Sequence, residues 1–148
     1  LTDAGRAGLP HAYDDLATTA LRYLRDTGGE QAVEAFAERR AATLESTLLA
    51  SGQIDPERRD PGGLARALSG AGYASTTQSA AAGTQLCQHH CPVAHVAAEF
   101  PQLCEAETRA FARVLGTYVQ RLATIAHGDG VCTTHVPDHL QRQEAVAP

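Results

Sequence analysis

Two consecutive glycines, Gly28-Gly29, divide the first fifty residues into two stretches whose apolar positions recur at helical steps. In the first, Tyr13, Leu16, Ala17, Ala20, Leu21 and Leu24 follow one another three or four residues apart from Pro10 onward. In the second, Val33, Phe36, Ala37, Leu44 and Leu48 share one side from about Glu30 to Ser51, and Gly52 follows. The periodicity predicts two amphipathic helices, and a glycine pair stops the first. Two long helices so joined make an αα-hairpin or a dimerisation arm. The stripe of the first, Pro10 to Thr27, is one face wide and suits a partner helix in the same chain or in a second copy.

The remainder changes character. "GQIDPERRDPGG" reads as a charged, turn-rich loop, closed by Asp60 as N-cap and Pro61 at the first position of a short helix to about Ser69. "GYASTTQS" and "TQLCQHH" read as two strands around the turn "AAAG". "VAHVAAEF" and "EAETRAFARVLG" read as helical segments interrupted at Pro101, the second ending at Gly116. "TYVQRLATIA" and "VCTTHV" flank "HGDG", which predicts a tight hairpin. The expected class is α+β: a helical dimerisation arm, then a small antiparallel sheet with helices in the order ββαββ. The expected division is residues 1–52 as linker and dimerisation helices, 53–137 as the α+β domain, and 138–148 as a flexible tail.

Composition narrows the function classes. No apolar run approaches the roughly 20 residues that span a bilayer, so a soluble protein without membrane contact is expected. All twelve basic residues are Arg, against seventeen acids, for a net charge of −5. That balance argues against a phosphate-binding surface on this chain, so any contact with DNA is expected through another segment. No G-x-S-x-G, P-loop or dinucleotide fingerprint is present, and the acidic residues read as helix-surface charges, so neither an enzyme nor a small-molecule substrate is expected. The chain starts "LTDAGRAGLP" without Met, as a fragment or processed product would.

"CQHHCPVAHVAAEFPQLC", residues 87–104, concentrates three of the four cysteines with three histidines. Cys87 falls in a strand, Cys91 just beyond it, Cys104 at a helix start and Cys132 near the start of the last strand. Strand ends and helix starts can meet at one sheet edge, so three or four thiols are able to converge. Buried core cysteines are one reading. Against it, Cys91 precedes a proline in a polar run, and Cys104 lies where a helix dipole favours thiolate. Structural disulfides, a zinc site and a thiol-redox pair of Cys87 and Cys91 are further readings, although C-x3-C matches neither a zinc knuckle nor a C-x-x-C motif. Iron–sulfur ligation is another, and C-x12-C-x27-C from Cys91 matches none of its generic spacings.

The run "HHCPVAHVAAEFPQLCEAETRAFARVLGTYVQRLATIAHGDGVCTTHV" resembles the C-terminal sensor region of SufR-type repressors, iron–sulfur-responsive regulators of cluster-assembly operons, in their actinobacterial form. The elements "CP", "FPQLCEAE", "LG" and "GDGVC" carry the likeness over about fifty residues. "LTDAGR" is similar to the exit from a winged helix-turn-helix, and none precedes it here. The resemblance implies a homodimer whose Cys91, Cys104 and Cys132 ligate a [4Fe-4S] or [2Fe-2S] cluster, with operator DNA read only by a missing N-terminal domain. Cys87 lies outside the trio, as a spare thiol, an additional ligand or a disulfide partner after cluster loss. Zinc holding a dimerisation module is the alternative cofactor. His89, His90, His95, His127 and His135 flank the cysteines as ligands, as donors to cluster sulfur or, more plainly, as solvated side chains. His135, three residues from Cys132, is expected on the opposite sheet face.

Overall fold

A computed structural model describes residues 2, 4, 5 and 12–138. Helix α1, Tyr13–Ala50, is two helices joined at Gly29, whose φ of 76° and ψ of −179° leave the helical region. Only glycine adopts that conformation without strain. The chain turns back there. Ala17 and Leu21 of the first half line one cleft with Phe36 and Arg40 of the second, residues that an unbroken helix would hold tens of ångströms apart. The two expected helices therefore form an αα-hairpin within the chain.

Helix α2, Pro61–Gly70, follows the loop and begins at its proline, but the Asp60 side chain makes no capping bond. Strands β1, Ser75–Ala80, and β2, Gly83–Gln88, form a hairpin. Helices α3, Ala94–Glu99, and α4, Gln102–Leu115, are separated by Phe100-Pro101. Strands β3, Gln120–Ala123, and β4, Cys132–Pro137, complete an antiparallel sheet in the order β1-β2-β4-β3. The class is α+β, and two helices rather than one stand between the strand pairs. Among the described residues no helix is long and apolar enough to cross a membrane.

One correction concerns the last hairpin. The strand expected over "TYVQRLATIA" ends at Ala123 with a register irregularity after Arg121, and Ile125–His127 forms a 3-10 turn. "HGDG" is thus the end of a longer loop, because Thr124 and Asp129 bond each other across it: the Thr124 amide donates to Asp129 Oδ2 at 2.9 Å and the Asp129 amide to the Thr124 carbonyl at 3.1 Å.

Two apolar clusters organise the helices. Val33, Ala37 and Ala41 of α1 pack with Ala106 and Ala110 of α4, and with Leu21, Val96, Ala97 and Phe100. Leu48, Leu64, Leu68, Tyr73, Leu86, Phe111 and Val136 fill the space between α2, α4 and the sheet. Leu48 and Ile54, on either side of residue 52, share this second cluster. Along the surface, Gln102, Arg109 and Arg113 of α4 donate to Glu30, Glu38 and Glu45 of α1 at 2.6, 2.6 and 2.8 Å. The partners ascend together, so α4 and the second half of α1 run parallel. The tail expected after Pro137 lies, from residue 139, outside the described residues, as does most of "LTDAGRAGLP".

The hairpin depends on Gly29. Gly29→Ala is expected to destabilise by about 1–3 kcal/mol through backbone strain, and to lower the thermal midpoint followed by circular dichroism. Gly70→Ala, at a position with open space around a built Cβ, is expected to leave the midpoint unchanged or raise it.

Candidate metal centre

The sheet register sorts the four cysteines. Gln88 of β2 pairs with Cys132 of β4, Leu86 with Thr134, and Arg121 of β3 with Thr134. These side chains share the inner face, where Cys132, Thr134 and Val136 are buried and the residues between them are less so. Cys87 pairs with Thr133 and therefore projects from the other face. His135 lies on that outer face as expected, across from Gln85 and Gln120.

Cys91 follows β2, Cys104 is the third residue of α4 and Cys132 opens β4. Cys91 and Cys104 are half-buried and Cys132 is buried. Burial pushes the Cys104 thiol up to about 11, and charge on Glu107, then on Cys91 and Cys132, adds to it while Arg121 opposes. The helix-start effect expected for Cys104 is therefore outweighed by desolvation and by Glu107, one turn along the same helix. Burial likewise raises the Cys91 thiol, with Glu107 and Cys132 adding, while a hydrogen bond from the Val93 backbone and the charge of Arg40 oppose. Asp129 lines both the cleft at Cys91 and the cleft at Cys104, and Ile125, beside Cys91, donates its amide to Cys132 Sγ.

Beneath the thiols lies a polar floor absent from the sequence reading. Arg121 Nη2 is 3.1 Å from Glu107 Oε2, with both side chains largely buried. The same guanidinium donates to Thr108 Oγ1 at 3.1 Å and to the buried Gln88 Oε1 at 3.3 Å, and it stacks over the Phe111 ring. Thr108 Oγ1 donates to the Cys104 carbonyl at 2.8 Å. Among the described residues, the buried Thr134 Oγ1 has no hydrogen-bond partner. Burial and Glu107 hold the Tyr73 hydroxyl protonated well above its ordinary range. Glu107 is not the helix-surface charge expected of the acidic residues: it lies within the stripe Leu103, Ala106, Ala110, Phe111 and Val114, and a carboxylate among those apolar positions is the signal for it.

Two open clefts flank the centre. One, of about 530 Å³, is lined by Cys104, Thr108, Arg121, His127 and Asp129. The other, of about 440 Å³, is lined by Cys91, His89, His90, His95, Asp14 and Asp129. His89 shares a 2.8 Å hydrogen bond with Thr76 Oγ1 and His127 one of 2.6 Å with Thr124 Oγ1. His95 Nδ1 is 3.2 Å from Asp14 Oδ2 on α1. Among the described residues no three His, Cys, Asp or Glu side chains are grouped tightly enough to enclose a single metal ion.

The donor set fits a thiophilic metal group. Cys104 and Cys91 border two clefts that share Asp129, and the Ile125 amide beside the second donates to Cys132 Sγ at 3.2 Å. Thiols that burial holds protonated give up their protons when a metal replaces them. No family model matches the chain, and neither does any curated protein or solved structure.

The buried ion pair is structural in its own right. Glu107→Ala leaves the Arg121 guanidinium uncompensated and is expected to cost about 3 kcal/mol in denaturant unfolding of the metal-free protein, and replacing both partners together by Leu and Met is expected to recover most of it.

Proposed function

We propose that this chain is the cluster-holding and dimerising part of a cytoplasmic, iron–sulfur-responsive transcriptional repressor similar to SufR-type regulators. Cys91, Cys104 and Cys132 hold the cluster, and Cys87 does not. The observation that supports this is that Cys104 and Cys91 border two clefts that share Asp129, and that Cys132 accepts the amide of Ile125, which lines the Cys91 cleft, while Cys87 turns to the other sheet face. When bound, an iron–sulfur cluster supplies one-electron redox chemistry and sensitivity to oxidants.

The chain's own residues suggest how such a centre acts on the rest of the protein. Helix α3 begins three residues after Cys91. It is clasped to the first half of α1 by a two-pronged pair, Arg22 Nε to Glu99 Oε2 at 2.7 Å and Arg22 Nη2 to Glu99 Oε1 at 2.6 Å. Arg25 stacks over Phe100 just beyond α3, His95 pairs with Asp14, and Leu21 is buried with Val96 and Ala97. Ligation of Cys91 fixes the start of α3, and α3 fixes the arm. In this reading the arm pairs with its copy and carries a DNA-reading domain from its N-terminal side. Leu16 and Tyr23, 65% and 71% exposed, give its outer face apolar character. A sensor needs no substrate, so the chain acts without catalysis.

Anaerobic purification with visible absorption and iron, sulfide and zinc analysis tests the proposal. Brown protein with matching iron and sulfide is expected. Cys91→Ser, Cys104→Ser and Cys132→Ser are each expected to lose at least half of the iron and sulfide, and Cys87→Ser to retain it. Stoichiometric zinc without sulfide would replace the proposal with a zinc-held dimerisation module.

A further inference from the structure

We propose that the loop between β3 and β4 is a preformed clamp that sets the reduction potential of the bound cluster through one backbone amide, that of Ile125. The proposal rests on the cluster reading above. Ile125 N–H donates to Cys132 Sγ across 3.2 Å, and the loop around it is tied at both ends. The Thr124 amide donates to Asp129 Oδ2 at 2.9 Å, and the Asp129 amide returns to the Thr124 carbonyl at 3.1 Å. Thr124 Oγ1 bonds His127 Nδ1 at 2.6 Å, and Gly128 N–H closes the 3-10 turn on the Ile125 carbonyl at 3.1 Å. Gly128 takes a φ of 99°, which lets the chain leave the turn toward Asp129.

Asp129 is thereby more than a turn residue. It borders the cleft at Cys91 and the cleft at Cys104 while its loop carries Cys132, so it is adjacent to all three thiol environments. Its hydrogen bonds go to the backbone and keep Thr124 extended, at φ −139° and ψ 138°, directly before Ile125. That conformation presents the next amide to the sulfur. A hydrogen bond to a ligand sulfur stabilises the more negative state of a cluster, so it favours uptake of an electron and raises the potential. Asp129 is a positioning residue in this scheme and Ile125 contributes only its N–H.

The geometry offers a selective test. An extended residue is what proline prefers before it, and Ile125 is the first residue of the turn, where a proline φ fits. Ile125→Pro therefore deletes the N–H with little disturbance, and Ile125→Val keeps it. The full chain and its variants are loaded anaerobically, assayed for iron and sulfide, and titrated with a one-electron reductant through redox mediators. Ile125→Pro is expected to load fully and to show a lower midpoint potential than wild type, with Ile125→Val unchanged. Asp129→Ala is expected below Asp129→Asn, because both remove the charge and only Asn still accepts from the Thr124 amide. This second pair decides the matter if Ile125→Pro fails to fold. A loaded Ile125→Pro protein at or above the wild-type potential, or coincident potentials for the two Asp129 variants, overturns the clamp while leaving the cluster reading intact. Wild type without iron and sulfide removes both.

Discussion

The contact between α4 and the second half of α1 is what the rest of the molecule depends on. Ala37 and Ala41 on one helix and Ala106 and Ala110 on the other are almost fully buried, and side chains this small let helix axes approach at the short end of the usual range. Once that face of α4 is gripped, its other face is directed at the sheet. Cys104, Glu107 and Phe111 project there at helical spacing. The position of one proposed ligand is therefore set by alanines remote from it in sequence.

Burial and the charge of Glu107 make Cys91 and Cys104 a poor resting place for negative charge. Glu107 faces Cys91 and Cys104, and its partner Arg121 is shared with Gln88 and Thr108. Without a metal the half-buried thiols keep their protons, which avoids gathering several anions around a buried carboxylate.

Much of this was legible in the sequence, for reasons specific to each element. The glycine pair and the three-four spacing in α1 gave both helices and the turn between them, and the breaks at Pro101 and Gly116 marked α3 and α4. In the β3–β4 loop Gly and Asp of "HGDG" resemble a tight turn, whereas the Asp129 side chain, five residues downstream of its partner, decides the outcome by accepting from the Thr124 amide. The separation of Cys87 from Cys132 was out of reach, since it follows from cross-strand register and not from spacing along the chain. Arg121 was equally hidden: a lone arginine in a short strand gives no sign that it will lie across β4 to meet Gln88.

The row of polar pairs between α4 and α1 has a mechanical corollary. Surface pairs of this kind add little to stability, but here Gln102, Arg109 and Arg113 meet acceptors in matching sequence, like teeth on two racks. Sliding α4 along α1 by a single helical turn would disengage every tooth at once and drive large side chains over the alanine seam. Rotation about that seam disturbs neither. Displacement of α4 is accordingly confined to a pivot about the seam, whereas α3, set off from α4 by Phe100-Pro101, meets the first half of α1 through contacts of its own.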